Sequence, residues 1–130
     1  MNVYYLILGS NWDAREHLNQ AVRKLLEWCE VSRLSNAFHS HSESNTNQAD
    51  FLNLAVEIKT KFTLKEIKKR CRAIEGQMEV GPLQLDVALD IDIVYADPNV
   101  EKSVEYPLPA KKIDTTLHYI FPLADLIPDS

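Results

Sequence analysis

The sequence predicts an α+β fold, a ferredoxin-like α/β sandwich in which a mainly antiparallel sheet carries helices packed on it. Two stretches with helical apolar spacing are interleaved with strand-like runs in the order strand, helix, two strands, helix, strand. At 130 residues with 45% hydrophobic content, the chain is large enough to close one core. It holds no internal repeat, low-complexity tract or linker, so residues 1–130 are read as a single domain.

Residues 3–9, VYYLILG, have the β-branched, aromatic and aliphatic content of a central strand, and Gly9, Ser10 and Asn11 are expected to supply a turn and a helix cap. Over residues 12–30, Leu18, Val22, Leu25, Leu26 and Cys29 recur at helical spacing and predict a long amphipathic helix. Residues 31–41 are expected to form a second strand, followed by a polar loop, HSESNTNQAD, over 41–50. In FLNLAVEIK, residues 51–59, the row Leu52, Leu54, Val56 and Ile58 alternates with Phe51, Asn53, Ala55 and Glu57. That is the period of a strand with one face on the core, so Asn53 points away from the aliphatic row. Thr63 followed by Glu66 has capping-box spacing and opens a second helix whose inner face is Leu64, Ile67, Cys71, Ile74 and Met78. After Gly81-Pro82 comes a strand, LDIDIVY, over 89–95, and the tail beyond it reads as short helical turns broken by Pro122 and Pro128.

A formal charge of −5 and a pI near 5.3 argue against a broad surface for nucleic acid or anionic membrane. No apolar run is long enough for a membrane span and the first residues lack a signal-peptide pattern, so a cytoplasmic protein is expected, and a monomer. Cys29 and Cys71 stand far apart on helical segments and read as buried thiols.

Asp90 and Asp92 are the residues with the clearest chemistry. Two apart on a strand, they project from one face with Cα atoms about 7 Å apart at a rise of ~3.3 Å per residue. Hard oxygen ligands of this kind suit Mg²⁺, which takes one or two protein carboxylates and fills its shell with water and phosphate oxygens. The competing reading is a pair of strand-end acids, solvated or paired with lysine. Asn53 offers a donor and an acceptor on one plane, suited to a heterocycle with a mixed edge, and Phe51 on the same face could stack on such a ring or simply pack. With three glycines in all, a glycine-rich phosphate loop is excluded.

The motifs GSN, FHS, DFLNLAV, AIEGQ, LDIDIVY and FPLADLIPD, in that order along nearly the whole chain, resemble the 6-hydroxymethyl-7,8-dihydropterin pyrophosphokinases of folate biosynthesis. The resemblance implies transfer of pyrophosphate from ATP to the hydroxymethyl group of a reduced pterin, with release of AMP. It implies that Asp90 and Asp92 hold two Mg²⁺ ions against the ATP phosphates. Asn53 matches the asparagine that reads the pterin, Phe51 an aromatic beside it, and Ser40 a hydroxyl residue whose backbone meets the pterin. Glu75 and Ile93 match positions close to the nucleotide.

The departures from the family pattern concern the cations. Leu83 stands where an arginine follows Gly-Pro, Val80 where a tryptophan precedes it, and residues 76–100 contain no lysine or arginine. Ala110 and Thr116 replace a histidine and an arginine, and His118 replaces an aromatic that stacks on the pterin. Arg72, Lys68, Lys111 and Lys112 are the cations left to meet phosphates, or else solvated surface charges. Three readings stay open: a divergent pyrophosphokinase, a silent relative that binds pterin, nucleotide or a partner protein in the same cleft, or an interaction module with two surface acids.

Overall fold

The structure is a computed structural model that describes residues 1–40 and 48–96, with the backbone alone for 94–96. Five strands and two helices follow one another as β1 (Asn2–Ser10), α1 (Ala14–Leu26), β2 (Glu30–Leu34), β3 (Phe38–Ser40), β4 (Phe51–Thr60), α2 (Leu64–Gly76) and β5 (Asp90–Ala96). All pairings are antiparallel, in the order β2-β4-β1-β5, with β3 also on β4. The two longest strands, β1 and β4, thus take the centre. This is the ferredoxin-like arrangement that the element order predicts.

One face of the sheet meets both helices. Tyr4, Leu6 and Leu8 of β1, Val56 and Ile58 of β4, and Ile91 and Ile93 of β5 join Leu18, Ala21 and Leu25 of α1 and Leu64, Ile67, Cys71 and Ile74 of α2 in one core. Each large aliphatic side chain buried there stabilises the fold by roughly 1.5–3 kcal/mol relative to exposure. A second contact joins the layers at one end, where the Arg70 guanidinium lies 3.9 Å from the Phe62 ring centroid and 5.3 Å from that of Trp28. Both cysteines are free thiols, Cys71 buried and Cys29 half-buried, and desolvation pushes each up to about 12.

Several elements differ in detail from their sequence reading. The first helix starts at Ala14 and ends at Leu26, whose side chain is exposed because the inward arc runs through His17, Leu18, Ala21 and Leu25. Its N-cap is Asp13, at φ 46°, and makes no side-chain cap bond. Asn11 is therefore not the cap. The expected strand over 31–41 is two short strands, because Ser35 interrupts the ladder: its N–H donates to the Ala55 carbonyl at 2.9 Å and its Oγ accepts the Ala55 N–H at 2.9 Å. A side chain here does the work of a backbone rung. The row of β4 that points away from the aliphatic row is buried too, with Asn53 1%, Ala55 0% and Glu57 7% exposed. Glu57 tolerates this because Ser32 Oγ donates to its Oε1 at 2.7 Å and Arg33 stands 3.9 Å away; desolvation alone would raise its pKa, but the hydrogen bonds and cations hold it below the ordinary value. Thr63 does cap α2, accepting the Glu66 N–H at 3.3 Å. The expected helical turns of the tail lie outside the described residues.

Candidate active site

The site is built on the face of the sheet opposite the helices, by strand register. Asn53 of β4 pairs with Gly9 of β1, Gly9 pairs with Asp90 of β5, and Phe38 of β3 pairs with Asn53 from the other side. Residues directly opposite in antiparallel strands share a face. Phe38, Asn53, Gly9 and Asp90 therefore form one transverse row. The next row along the same face holds Ala55, Ile7 and Asp92. Asn53 and the first acid stand about 10 Å apart, two interstrand spacings of ~4.8 Å. The residue between them has no side chain.

Gly9 is required by what lies over it. A Cβ there would stand 2.9 Å from Asn53 Oδ1 and 3.6 Å from a ring carbon of Phe51. The Asn53 amide is held in that position: its Nδ2 donates to Ser40 Oγ at 2.7 Å and to the Phe38 carbonyl at 3.3 Å. The amide orientation is the one its hydrogen-bond network dictates. Ser40, Phe51 and Asn53, singled out in the sequence as substrate contacts, are thus brought together in one corner, with Ser40 acting through its hydroxyl on Asn53.

The two acids face each other. Asp90 is exposed and Asp92 half-buried. Desolvation, the charge of Asp92, a carboxyl–carboxyl hydrogen bond to Asp92 and the charge of Glu75 raise the Asp90 pKa, Arg72 opposes them, and the acid is pushed up to about 7. Because Asp90 is exposed, the direction rests most firmly on the facing carboxylates, which repel whether or not water reaches them. A hard divalent cation would relieve that repulsion, and two carboxylates are the protein share that Mg²⁺ ordinarily takes. The donor set fits the metal. No cluster of three or more potential ligands exists among the described residues.

The backbone between the acids is tied to α2. Glu75 Oε2 accepts the Ile91 N–H at 2.7 Å and Arg72 Nη2 donates to the Ile91 carbonyl at 2.7 Å, while Arg72 Nη1 bonds Glu75 Oε1 at 2.7 Å. Arg72 and Glu75, both read in the sequence as nucleotide contacts, therefore stand at the outer edge of β5. Ile93, the third such residue, has its side chain in the core, so only its backbone can meet a ligand. His118 and Lys111 lie outside the described residues.

Asn11 is the functional residue that sequence reasoning misassigned. Its side chain donates to the Leu85 carbonyl at 3.1 Å and accepts the Val87 N–H, and its own N–H donates to the Val87 carbonyl at 3.0 Å. Gln48 Nε2 reaches the same Leu85 carbonyl at 2.9 Å. These bonds pin the segment that leads into Asp90 onto the end of β1. The only prior signal was its place in GSN, which reads equally well as a cap.

The preceding loop is closed by an acid. Asp86 Oδ2 accepts the Leu83 N–H at 2.8 Å, and its side chain fills the space where a Cβ on Gly81 would stand. Val80 and Leu83, at the expected tryptophan and arginine positions, are 94% and 70% exposed. No helix among the described residues is long and apolar enough to cross a membrane.

Comparison with known proteins points to one family. Residues 5–128 match the family described as 7,8-dihydro-6-hydroxymethylpterin-pyrophosphokinase. The chain is similar to the 2-amino-4-hydroxy-6-hydroxymethyldihydropteridine pyrophosphokinase of Aquifex aeolicus, 26% identical over 99% of this chain and 82% of that protein. It is similar to the enzyme of the same name from Bacillus subtilis, 33% identical over 96% of this chain and 78% of that protein.

Proposed function

The chain belongs to the 7,8-dihydro-6-hydroxymethylpterin pyrophosphokinase family, and from that premise we propose that it transfers pyrophosphate from ATP to 6-hydroxymethyl-7,8-dihydropterin, releasing AMP. The observation that carries the reading is the shared row of Asn53, Gly9 and Asp90. It lines up a ring-reading amide and a metal-holding acid on one face, separated by a residue that leaves room between them. An interaction module with two unrelated surface acids has no need of that alignment.

In this reading Asn53 and Phe51 orient the pterin, the first by hydrogen bonding and the second by stacking, and Ser40 holds the Asn53 amide in place. Asp90 and Asp92 hold Mg²⁺, two ions with ATP. The two acids would hold the metal against the phosphates, where it would supply neutralisation of their charge. Arg72, Glu75 and the Ile93 backbone border the nucleotide at the outer edge of β5, and Lys111 and His118 complete the nucleotide and pterin contacts.

A second reading, a relative that binds in this cleft without turnover, draws on one specific observation. Residues 76–100 supply no cation, and the loop before β5 is closed by Asp86 instead. An arginine on a transferring phosphoryl group can be worth several orders of magnitude in rate. The assay is AMP formation followed chromatographically with ATP, Mg²⁺ and the hydroxymethyl pterin. Release that needs both substrates and falls at least about a hundredfold in Asp92→Asn supports the kinase. Tight pterin or nucleotide binding with no AMP would establish the silent relative.

A further inference from the structure

The contact from α2 to Ile91 touches neither the pterin corner nor a carboxylate of the acid pair, yet it holds the one residue that lies between the two acids. A strand at the edge of a sheet leaves alternate N–H and C=O groups unpaired by its neighbour. At Ile91 both outward groups are taken, the N–H by Glu75 and the carbonyl by Arg72, each at 2.7 Å. The two side chains are also bonded to each other at 2.7 Å. This closes a ring of three charge-assisted hydrogen bonds around a single peptide position. Arg72 makes these bonds although its side chain is 57% exposed, whereas the Glu75 side chain is 17% exposed.

Leu8 pairs with Ile91 across β1, and Gly9 and Ile7 pair with Asp90 and Asp92. Ile91 is thus gripped from both sides, by the β1 ladder and core on one and by α2 on the other. The Cα separation of the acids follows from the backbone angles of this residue, because rotation about it swings one Asp relative to the other.

We propose that Arg72 and Glu75 act together as a positioning unit for the Asp90–Asp92 pair, setting the separation of the two carboxylates so that they meet a divalent cation as a ready-made site. The proposal rests on the metal-binding reading of those acids. It assigns Arg72 and Glu75 a task that precedes nucleotide binding. Outer groups that orient metal ligands commonly contribute 10–100-fold in metal affinity, and the effect expected here is about tenfold.

The test measures Mn²⁺ binding by electron paramagnetic resonance without nucleotide, and AMP binding by calorimetry in chelator without metal. Arg72→Ala and Glu75→Ala should each weaken Mn²⁺ about tenfold, and the double variant no more than either single, because each breaks the same ring. AMP affinity, read separately, reports whatever nucleotide contact the two residues lose, and the Ile91 amide should exchange faster with solvent in both. Glu75→Gln, which keeps an acceptor for the Ile91 N–H, should recover part of the Mn²⁺ affinity. Should Arg72→Ala fail to fold, Arg72→Gln at this exposed position replaces it, with melting curves as the check. Mn²⁺ affinity equal to wild type in the single variants, or a loss confined to AMP, overturns the positioning role. Absence in the wild type of any Mn²⁺ binding that Asp92→Asn removes would instead overturn the metal site itself.

Discussion

Replacing Gly9 with alanine separates a structural from a functional account of the first strand's end. Glycine inside a strand is ordinarily unfavourable, and Gly→Ala with room to spare should stabilise by roughly 0.5–1 kcal/mol. Here the new methyl would stand 2.9 Å from Asn53 Oδ1, closer than real Cβ contacts come, and 3.6 Å from the Phe51 ring. Asn53 cannot swing aside cheaply. It is 1% exposed, and moving it stretches a 2.7 Å bond to Ser40 Oγ and a 3.3 Å bond to the Phe38 carbonyl. Overpacking of this kind costs about 1–3 kcal/mol, which outweighs the backbone gain. Gly9→Ala should therefore lower the melting temperature by several degrees, at ~3–5 °C per kcal/mol for a chain of this size. The displaced amide should also weaken pterin binding about tenfold or more, the equivalent of one well-placed hydrogen bond. Nucleotide binding should fall less than pterin binding, because the clash falls on Asn53 and leaves Asp90, the β5 partner of Gly9, in register. Calorimetric titration with the pterin and with an ATP analogue, beside a melting curve, reads all three quantities. A variant that is more stable than wild type, or that binds pterin with unchanged affinity, would refute the reasoning, since Asn53 would then be neither crowded nor in use.

The raised Asp90 pKa, about 7, sets a pH dependence in metal-free buffer. Between the ordinary carboxylate range and about 7 the folded protein holds a proton that the unfolded chain has released, so stability from this group declines as pH rises through that window. Urea unfolding in chelator should show wild type losing stability relative to Asp90→Asn from pH 5 to pH 8; a constant difference would mean that the acids do not interact. Asn11→Ala removes the bonds to Leu85 and Val87 and should cost about 1–3 kcal/mol. Faster amide exchange should then be confined to residues 83–88 and the start of β5, and exchange unchanged there would show that Asn11 does not anchor that segment.

Much of the site's composition was legible because it depends on local periodicity. A strand alternates its side chains whatever surrounds it, so Asp90 and Asp92 had to share a face, as did Phe51 and Asn53. The inner faces of both helices followed from apolar spacing in the same way, apart from Leu26, which lies outside the inward arc of His17, Leu18, Ala21 and Leu25. Capping was legible for Thr63, where the glutamate three residues on completes the pattern. It misled at Asn11, since a side chain that can cap a helix can equally bind a distant loop, and only the position of residues 85–87 decides between them.

By itself, then, the sequence determined which residue types line each element, their period, the order of the elements and the family to which their motifs belong. Only the tertiary structure decided that Asn53, Gly9 and Asp90 stand in one row, that Ser35 breaks a strand in two, and that Arg72 and Glu75 close on Ile91. The physical reason is that pitch and pleat are set by the covalent backbone within a few residues. Register between strands distant in sequence is chosen by the packing of the whole core, where a slip of one residue would turn every one of these side chains to the other face.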